Sequence, residues 1–415
     1  MPGSTLLIWG IAALATFLVI ARPFGWPEAV WAVSGAALLV VLGLLTPAEA
    51  LAGAGKGLDV YLFLLGMMLL AEVARKEGLF DWLAALATRR ARGSARRLFF
   101  LVYAVGTVVT VFLSNDATAV VLTPAVAAAM RTAKAEKPLP YLLICAFIAN
   151  AASFVLPISN PANLVIYGAQ MPELWRWLPR FALPSLLSIG ATYLVLRLTQ
   201  RRALSQAIAS DVPVPRLNPA GRTATYGIIV TAAVLLAASA KGIQLGLPTA
   251  VCGVITALVV LLRERKSPFD TVRDISWGVL ALVAGLFVLV EALDKTGLIA
   301  MIARTLPGTG SRGAAWAAAA LTGFGCNLTN NLPAGLVAAD VLHSANAPLR
   351  LRSAVLVAVD VGPNLSVTGS LATILWLTAL RREGQRVSAW EFLKLGALVM
   401  PPALFFALAA VIHLP

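Results

Sequence analysis

The chain has 415 residues, of which 59% are hydrophobic and only 13% are charged, whereas a soluble domain carries about 25% charged residues. This composition excludes an ordinary soluble globular protein. The formal net charge of +14 does not indicate nucleic-acid binding, because the basic residues lie in short segments between apolar runs and form no continuous basic face.

Apolar segments of about 20 residues each recur along the chain, and this is the length that a helix needs to cross a bilayer. The first, Leu6–Ile20, has no basic region before it and no small-residue cleavage pattern after it, so we interpret it as a retained span. A polar, Pro- and Arg-containing linker is predicted at 201–221. The predicted crossings are 4–21, 27–46, 58–76, 138–170 and 180–199 before the linker, and 222–240, 247–262, 275–294, 349–380 and 388–412 after it.

The two halves of the chain, 1–200 and 222–415, resemble each other. Ala29–Pro47 aligns with Ala250–Pro268, and a nearly constant offset also aligns Gly66 with Gly285, Glu72 with Glu291, Lys76 with Lys295 and Gly78 with Gly297. Five crossings in each half would place the halves in opposite orientations. The sequence therefore predicts an all-α polytopic membrane protein of two inverted repeats of five transmembrane helices. Each repeat contains a helical hairpin, at about 97–133 and 313–346, and a broken helix, at about 138–170 and 349–380.

The distribution of basic residues predicts the orientation. With the amino terminus outside, 24 of the 33 Lys and Arg residues lie on the cytoplasmic side, as the positive-inside rule requires. Both termini then face the periplasm of a bacterial inner membrane. The segment Leu79–Arg97 alternates apolar and basic residues and predicts an interfacial helix. The charge count does not distinguish re-entrant hairpins from full double crossings.

Polar breaks interrupt both hairpins at equivalent places, at Ser114-Asn115-Asp116 and at Thr329-Asn330-Asn331. Polar groups at membrane depth are costly unless they are buried in protein or line a watery cavity. Matched Asn clusters therefore predict substrate binding by Asn115, Asn330 and Asn331. The alternative is that these residues only cap helices or join packed helices by hydrogen bonds.

Pro and Gly interrupt the helix that follows each hairpin, at 156–168 and 359–376, and supply further candidate ligands: Asn160 and Asn163, then Ser370 and Thr373. Two tips and two broken helices predict a four-part enclosure near the bilayer midplane. No Lys or Arg lies in the four breaks. The site therefore suits a small neutral polyhydroxy solute, or a cation held by oxygen atoms.

Two acids stand in these breaks. Asp116 is predicted to carry a coupling proton, because a carboxylate in a medium of low dielectric constant favours its neutral form; the alternative is an N-cap for the returning arm. Asp360 is predicted either as a second proton-coupling site or as a structural hydrogen-bond partner. Asp340, with His343 three residues later, is predicted to be interfacial and structural.

The cysteine and glutamate residues outside these breaks give no indication of a metal site or a cofactor. Cys145, Cys252 and Cys326 show no metal-binding spacing, and Cys326 is interpreted as a packing residue. Glu72 and Glu291 each have a Lys four residues later and predict ion pairs within their own helices.

The breaks resemble those of the ArsB-type arsenite and antimonite efflux permeases, which form part of the ion transporter superfamily. The residues that carry the resemblance are Asn115-Asp116 with Thr123-Pro124, Asn330-Asn331 with Pro333, Asp360-Val361-Gly362-Pro363, Thr368-Gly369-Ser370-Leu371-Ala372-Thr373 and Leu375-Trp376. The resemblance extends over essentially the whole chain.

This resemblance implies efflux of trivalent arsenic or antimony as the uncharged trihydroxide, in exchange for protons. It also implies partnership with a cytoplasmic arsenite-stimulated ATPase. The Ser-Asn-Asp tip is also similar to the Ser-Asn-Thr tips of sodium-coupled carboxylate carriers, so such a carrier or a sodium/proton antiporter is the alternative. A passive channel is a further alternative. No nucleotide-binding loop and no cluster of catalytic residues are found, which predicts that the chain is not an enzyme.

Overall fold

The computed structural model describes residues 2–210, 212–305 and 310–413, and the described residues form helices and connecting loops without a named strand. Seven of these helices are long and apolar enough to cross a membrane, or eight when the bent pair Pro47–Gly55 and Leu58–Lys76 is taken as one span. The chain is therefore a multi-pass α-helical membrane protein. Residue 211 within the predicted linker, residues 306–309 within one repeated segment, and the terminal residues 1, 414 and 415 lie outside the described part.

Eleven helices precede the linker. Their bounds are α1 Pro2–Ala21, α2 Glu28–Val41, α3 Pro47–Gly55, α4 Leu58–Lys76, α5 Leu79–Ala91, α6 Ala95–Phe112, α7 Asn115–Ala117, α8 Thr123–Thr132, α9 Leu139–Ala151, α10 Pro161–Tyr167 and α11 Leu174–Thr199. The first hairpin is α6 and the returning arm α7–α8, which contains a π-helical stretch at Thr118–Leu122. The first broken helix is α9 and α10.

Ten helices follow the linker. Their bounds are α12 Pro219–Ala240, α13 Gly246–Glu264, α14 Pro268–Asp274, α15 Trp277–Lys295, α16 Leu298–Arg304, α17 Arg312–Thr329, α18 Asn331–Ser344, α19 Leu349–Val361, α20 Leu371–Arg382 and α21 Ala389–His413. The second hairpin is α17 and α18, and the second broken helix is α19 and α20. Similar elements thus follow one another in similar order in both halves. The opposite orientation of the halves stays a prediction.

The aligned glycines Gly66 and Gly285 lie where helices from different halves cross. A Cβ atom at Gly66 of α4 would lie 2.2 Å from the Thr249 carbonyl oxygen of α13, and one at Gly285 of α15 would lie 2.8 Å from the Ala32 carbonyl carbon of α2. In a membrane, small residues allow helix backbones to approach closely and gain van der Waals contact. These two crossings join the two halves of the chain.

The ion pairs of the two aligned acids differ. Glu72 accepts two hydrogen bonds from Arg75, at 2.6 and 2.9 Å, and lies 3.5 Å from Lys76, within its own helix as predicted. The same prediction for Glu291 is wrong, since this carboxylate pairs with Lys56. Lys295 pairs with Glu49 instead, at 2.7 Å. Helix spacing permits an i,i+4 pair, but here Glu49 of α3 and Lys56, the residue that follows α3, supply the opposite charges.

The connections beside the first hairpin are packed. The predicted interfacial helix Leu79–Arg97 divides, because α5 ends at Ala91 and α6 begins at Ala95 with Ser94 as its N-cap. In the linker, Gln206 bonds to the backbone of Lys137 through both ends of its side-chain amide, at 2.8 and 3.0 Å. Leu204 and Val212 are buried. The linker is therefore anchored on the base of this hairpin.

Candidate functional site

Each hairpin tip turns on a residue whose backbone angles are normally those of glycine. Ser114 has φ 139° and ψ 165°, and Asn330 has φ 75° and ψ 153°. The side chain of each caps the returning arm, Ser114 Oγ accepting from Ala117 N at 3.4 Å and Asn330 Oδ1 from Leu332 N at 3.3 Å. A non-glycine residue in this region carries backbone strain of about 1–3 kcal/mol, which only well-packed surroundings sustain. The two tips are thus matched in backbone strain as well as in sequence.

We expect Ser114→Gly to preserve or raise the free energy of unfolding, and Ser114→Ala to lower it by about 1–3 kcal/mol relative to the Gly variant. Glycine relieves the strain, whereas alanine keeps it and loses the cap. Thermal melting of the purified protein in detergent measures the difference. Ser311, an N-cap with an ordinary φ of −76°, is the matched control. At Ser311 the melting temperature of the Gly variant should exceed that of the Ala variant by a smaller margin than at Ser114. Equal melting temperatures for the two Ser114 variants would contradict the expectation.

The two tips and the two broken helices meet around one small cavity of about 260 Å³. Four polar side chains line it. The first tip supplies Asn115 and Asp116, the first broken helix supplies Asn160, and the second tip supplies Asn331. The second broken helix contributes apolar residues of α20, and α4 and α15 close the sides. These apolar lining residues are Leu64, Pro161, Val279, Leu332, Leu371 and Ala372.

The polar lining groups retain free hydrogen-bonding capacity. Asn331 is 3% exposed, and its Oδ1 has no hydrogen-bond partner among the described residues. Asn115 Oδ1 accepts from the backbone of Asp116 at 2.9 Å. The Asp116 carboxylate itself makes no hydrogen bond or ion pair within the described part of the chain. Because Ser114 is the N-cap, the capping role considered for Asp116 is not the one observed.

Asn163 and Asn330, predicted as ligands, do not line this cavity and instead hold the breaks in shape. Asn163 Nδ2 donates to the carbonyl oxygens of Ser153, Leu156 and Pro157 at 2.9, 3.2 and 3.3 Å, which satisfies backbone groups freed by the interruption. Asn330 Nδ2 donates to Thr368 O at 3.3 Å. Their direct contact with a solute stays a prediction.

Ser370 and Thr373 belong to a buried network that also lies outside the cavity lining. Ser370 caps α20, and its hydroxyl lies 2.8 Å from Thr373 Oγ1. Asn150 Nδ2 donates to Thr373 Oγ1 at 3.2 Å and to Asn364 Oδ1 at 3.1 Å, and so joins the two broken helices. Asn150 and Asn364 are not among the residues predicted from the sequence. An isolated Asn beside a break in an apolar segment is the signal that could have identified them.

Asp360 lies behind the cavity. It is completely buried, and its Oδ1 accepts from Asn160 Nδ2 at 2.7 Å. Asn160 Oδ1 accepts from Ala162 N at 3.0 Å and caps α10. Asp360 therefore contacts the cavity through Asn160 only.

A larger cavity of about 680 Å³ adjoins the small one and shares Asp116, Leu64, Pro161 and Val279 with it. Glu72 and Asp274 also line it, and no Lys, Arg or His of the described residues lines either cavity. The side chain of Lys76, 2.8 Å from Asp274, lowers the pKa of that carboxyl. With the predicted orientation, this acidic cavity leads from Asp116 towards the cytoplasm.

A separate cavity of about 830 Å³ contains Asp340, Glu291 and Lys56. His343 is exposed, and the interfacial position of this Asp–His pair stays a prediction. Cys326 is buried, and no three His, Cys, Asp or Glu residues of the described chain are grouped so as to hold a metal. The polar side chains of the described residues that line the small cavity are those of Asn and Asp.

The comparisons with known proteins show the family of the chain. A family model described as citrate transporter (CitMHS) matches residues 9–379. The chain belongs to this transporter family. The arsenical pump membrane protein of Escherichia coli strain K12 is 27% identical over 430 residues, covering 98% of each chain, and that of Yersinia enterocolitica is 26% identical over 367 residues, covering 83% and 84%. The predicted resemblance is therefore confirmed.

Two solved structures share the fold of this citrate transporter family member. The YdaH transporter of Alcanivorax borkumensis superposes with a TM-score of 0.56 at 17% identity, covering 99% of this chain and 97% of that one. The MtrF protein of Neisseria gonorrhoeae gives a TM-score of 0.58 at 14% identity, covering 100% and 95%. At such identities the likeness shows the fold alone.

Proposed function

We propose that this chain is a secondary active transporter that exports trivalent arsenic and antimony as uncharged trihydroxides, by alternating access in exchange for protons. The observation that carries the proposal is the small cavity, whose polar lining is three amides and one unpaired carboxyl. The relatives matched over most of the chain are named arsenical pump membrane proteins. The proposed location is the bacterial inner membrane, with both termini in the periplasm.

The chemistry of the cavity suits such a solute. Asn115, Asn160 and Asn331 can donate to and accept from three hydroxyl groups, as neutral amides do. Antiport requires that the proton and the solute exclude each other. An ionised Asp116 accepts hydrogen bonds from the solute, whereas a protonated Asp116 has lost that charge, so each ligand weakens the binding of the other.

A sodium-coupled carboxylate carrier is the alternative, favoured by the description of the family as citrate transporter. A carboxylate anion in this cavity would face Asp116, and on its way Glu72 and Asp274, with no cationic side chain of the described residues lining either cavity. Like charges in a medium of low dielectric constant repel strongly. The uncharged solute therefore fits the lining better.

Uptake into everted membrane vesicles tests the proposal. We expect arsenite to accumulate when a pH gradient is imposed, and citrate not to accumulate under either a pH or a sodium gradient. One pH unit is worth about 1.4 kcal/mol, or roughly tenfold accumulation, per exchanged proton. Vesicles without the protein give the background. Sodium-driven citrate uptake that ignores the pH gradient would establish the alternative, and uptake that never exceeds equilibration would indicate a channel.

We further propose a cytoplasmic arsenite-stimulated ATPase as a partner, on the resemblance to the arsenite permeases. Adding such an ATPase with ATP to the same vesicles should raise arsenite accumulation above the level that the pH gradient supports. Unchanged accumulation would show that the transporter works alone.

A further inference from the structure

Asp360 occupies the position of the second half that Asn150 occupies in the first. Each is the twelfth residue of a 13-residue helix, α19 and α9, that leads into a break. Each also bonds across the halves. Asp360 binds Asn160, the cap of α10, while Asn150 binds Thr373, in the first turn of α20. The same crossed arrangement thus uses a neutral amide in one half and an acid in the other.

The surroundings of Asp360 accommodate a neutral acid better than a carboxylate. Its Oδ2 is buried and without a hydrogen-bond partner among the described residues. The Ser153 hydroxyl, which lies beside the carboxyl, donates to Asn150 O at 2.8 Å and makes no hydrogen bond to this Oδ2 atom. A buried carboxylate oxygen without a donor is unfavourable, and a neutral acid avoids that charge.

No charge nearby compensates Asp360. The groups that interact with it are Asn160 from the first broken helix, Ser153 from the first break and the Cys326 thiol of α17, all of which are uncharged. No Lys, Arg or His of the described residues interacts with this carboxyl. Because no positive charge in the described part of the chain stabilises the carboxylate, these surroundings favour the protonated form of Asp360.

We infer that Asp360 is a positioning residue that carries a second proton and, through Asn160, sets the affinity of the cavity for its solute. A carboxylate accepts a stronger hydrogen bond from an amide than a neutral acid does. Protonated Asp360 therefore leaves the Asn160 amide free to bind the solute. Ionised Asp360 keeps this amide in a strong hydrogen bond to its own carboxylate. This inference rests on the proposed function.

The two acids then act with opposite signs. Protonation of Asp116 removes a charge that the solute uses, whereas protonation of Asp360 releases Asn160 for the solute. Affinity for arsenite should accordingly pass through a maximum as pH rises, over the range in which the solute stays uncharged. Coupling between sites commonly changes affinity by about 5-fold to 150-fold, so each side of the maximum should fall by at least about 5-fold.

Infrared spectroscopy of the purified full-length protein tests the proton without any solute. The carbonyl band of a protonated carboxylic acid should be present in wild type near neutral pH, remain in Asp116→Asn and disappear in Asp360→Asn. Asn150 shows that an amide is accommodated at the equivalent position. A wild-type spectrum without the band, or a band that survives Asp360→Asn, would overturn the inference.

Arsenite titrations at several pH values test the action on the cavity. Asp360→Asn should bind arsenite but lose the decline at alkaline pH, while Asp116→Asn should lose the decline at acidic pH. If Asp360 were merely structural, its Asn variant would keep the alkaline decline, and the inference would fail. If wild type bound no arsenite while the infrared band behaved as expected, the proposed function would fail and the buried proton would stand.

Discussion

Vesicles that contain Asp116→Asn should no longer accumulate arsenite when a pH gradient is imposed. Asp116 is the one carboxyl that lines the small cavity, and it has no partner among the described residues that could hold or replace its charge. The amide is nearly isosteric but cannot carry a proton. If exchange with protons supplies the driving force, as proposed, loss of the exchangeable proton should remove roughly tenfold of accumulation for each unit of pH gradient.

Downhill movement distinguishes a coupling role from damage to the site. Asp116→Asn should still equilibrate arsenite across the membrane, because the three amides remain, while its accumulation no longer follows the pH gradient. Asp270→Asn, at an exposed carboxyl of α14, is the matched control and should accumulate arsenite like wild type. Normal gradient-driven accumulation by Asp116→Asn would show that proton coupling lies elsewhere.

Gly66→Ala should destabilise the protein by about 1–3 kcal/mol or more, as overpacking a close contact does. The added Cβ would lie 2.2 Å from the Thr249 carbonyl oxygen and 2.7 Å from Ala250 N, both backbone atoms of α13. Neither can turn away as a flexible side chain could, so α4 and α13 must separate. The higher helix propensity of alanine, worth about 1 kcal/mol, opposes this loss and makes a net destabilisation more informative.

Gly190→Ala provides the matched control. Gly190 lies inside the long helix α11, and a Cβ atom there meets nothing within 4 Å. This variant should melt at or above the wild-type temperature in detergent, while Gly66→Ala melts below it and yields less folded protein. If both variants melted alike, the close α4–α13 crossing would not contribute to stability.

The location of the site could be predicted from sequence because membrane depth makes polar groups conspicuous. An Asn or Asp in an apolar run must satisfy its hydrogen bonds inside the protein or in a cavity. Both tips and both breaks contain such residues, and the small cavity lies where these four elements meet. It could not separate Asn160, which lines the cavity, from Asn163, which ties down the backbone three residues later.

Sequence alone also could not choose between charge partners. The i,i+4 rule applied equally to Glu72 and Glu291, yet Glu291 pairs with Lys56 of a distant segment. Similarly, the backbone angles of Ser114 and Asn330 depend on how each hairpin turns within its surroundings. Because neither residue is a glycine, the sequence does not predict these angles.

The membrane class, the approximate helix bounds and the four polar breaks can be read from the residues alone. Hydrophobic run length and the scarcity of charge follow from the bilayer and need no tertiary contact. Which polar side chains face the cavity and which hold the breaks depends on how the two halves pack against each other. A broken helix turns residues three apart to different neighbours, and the other half supplies those neighbours, as Asn160 with Asp360 and Asn150 with Thr373 show.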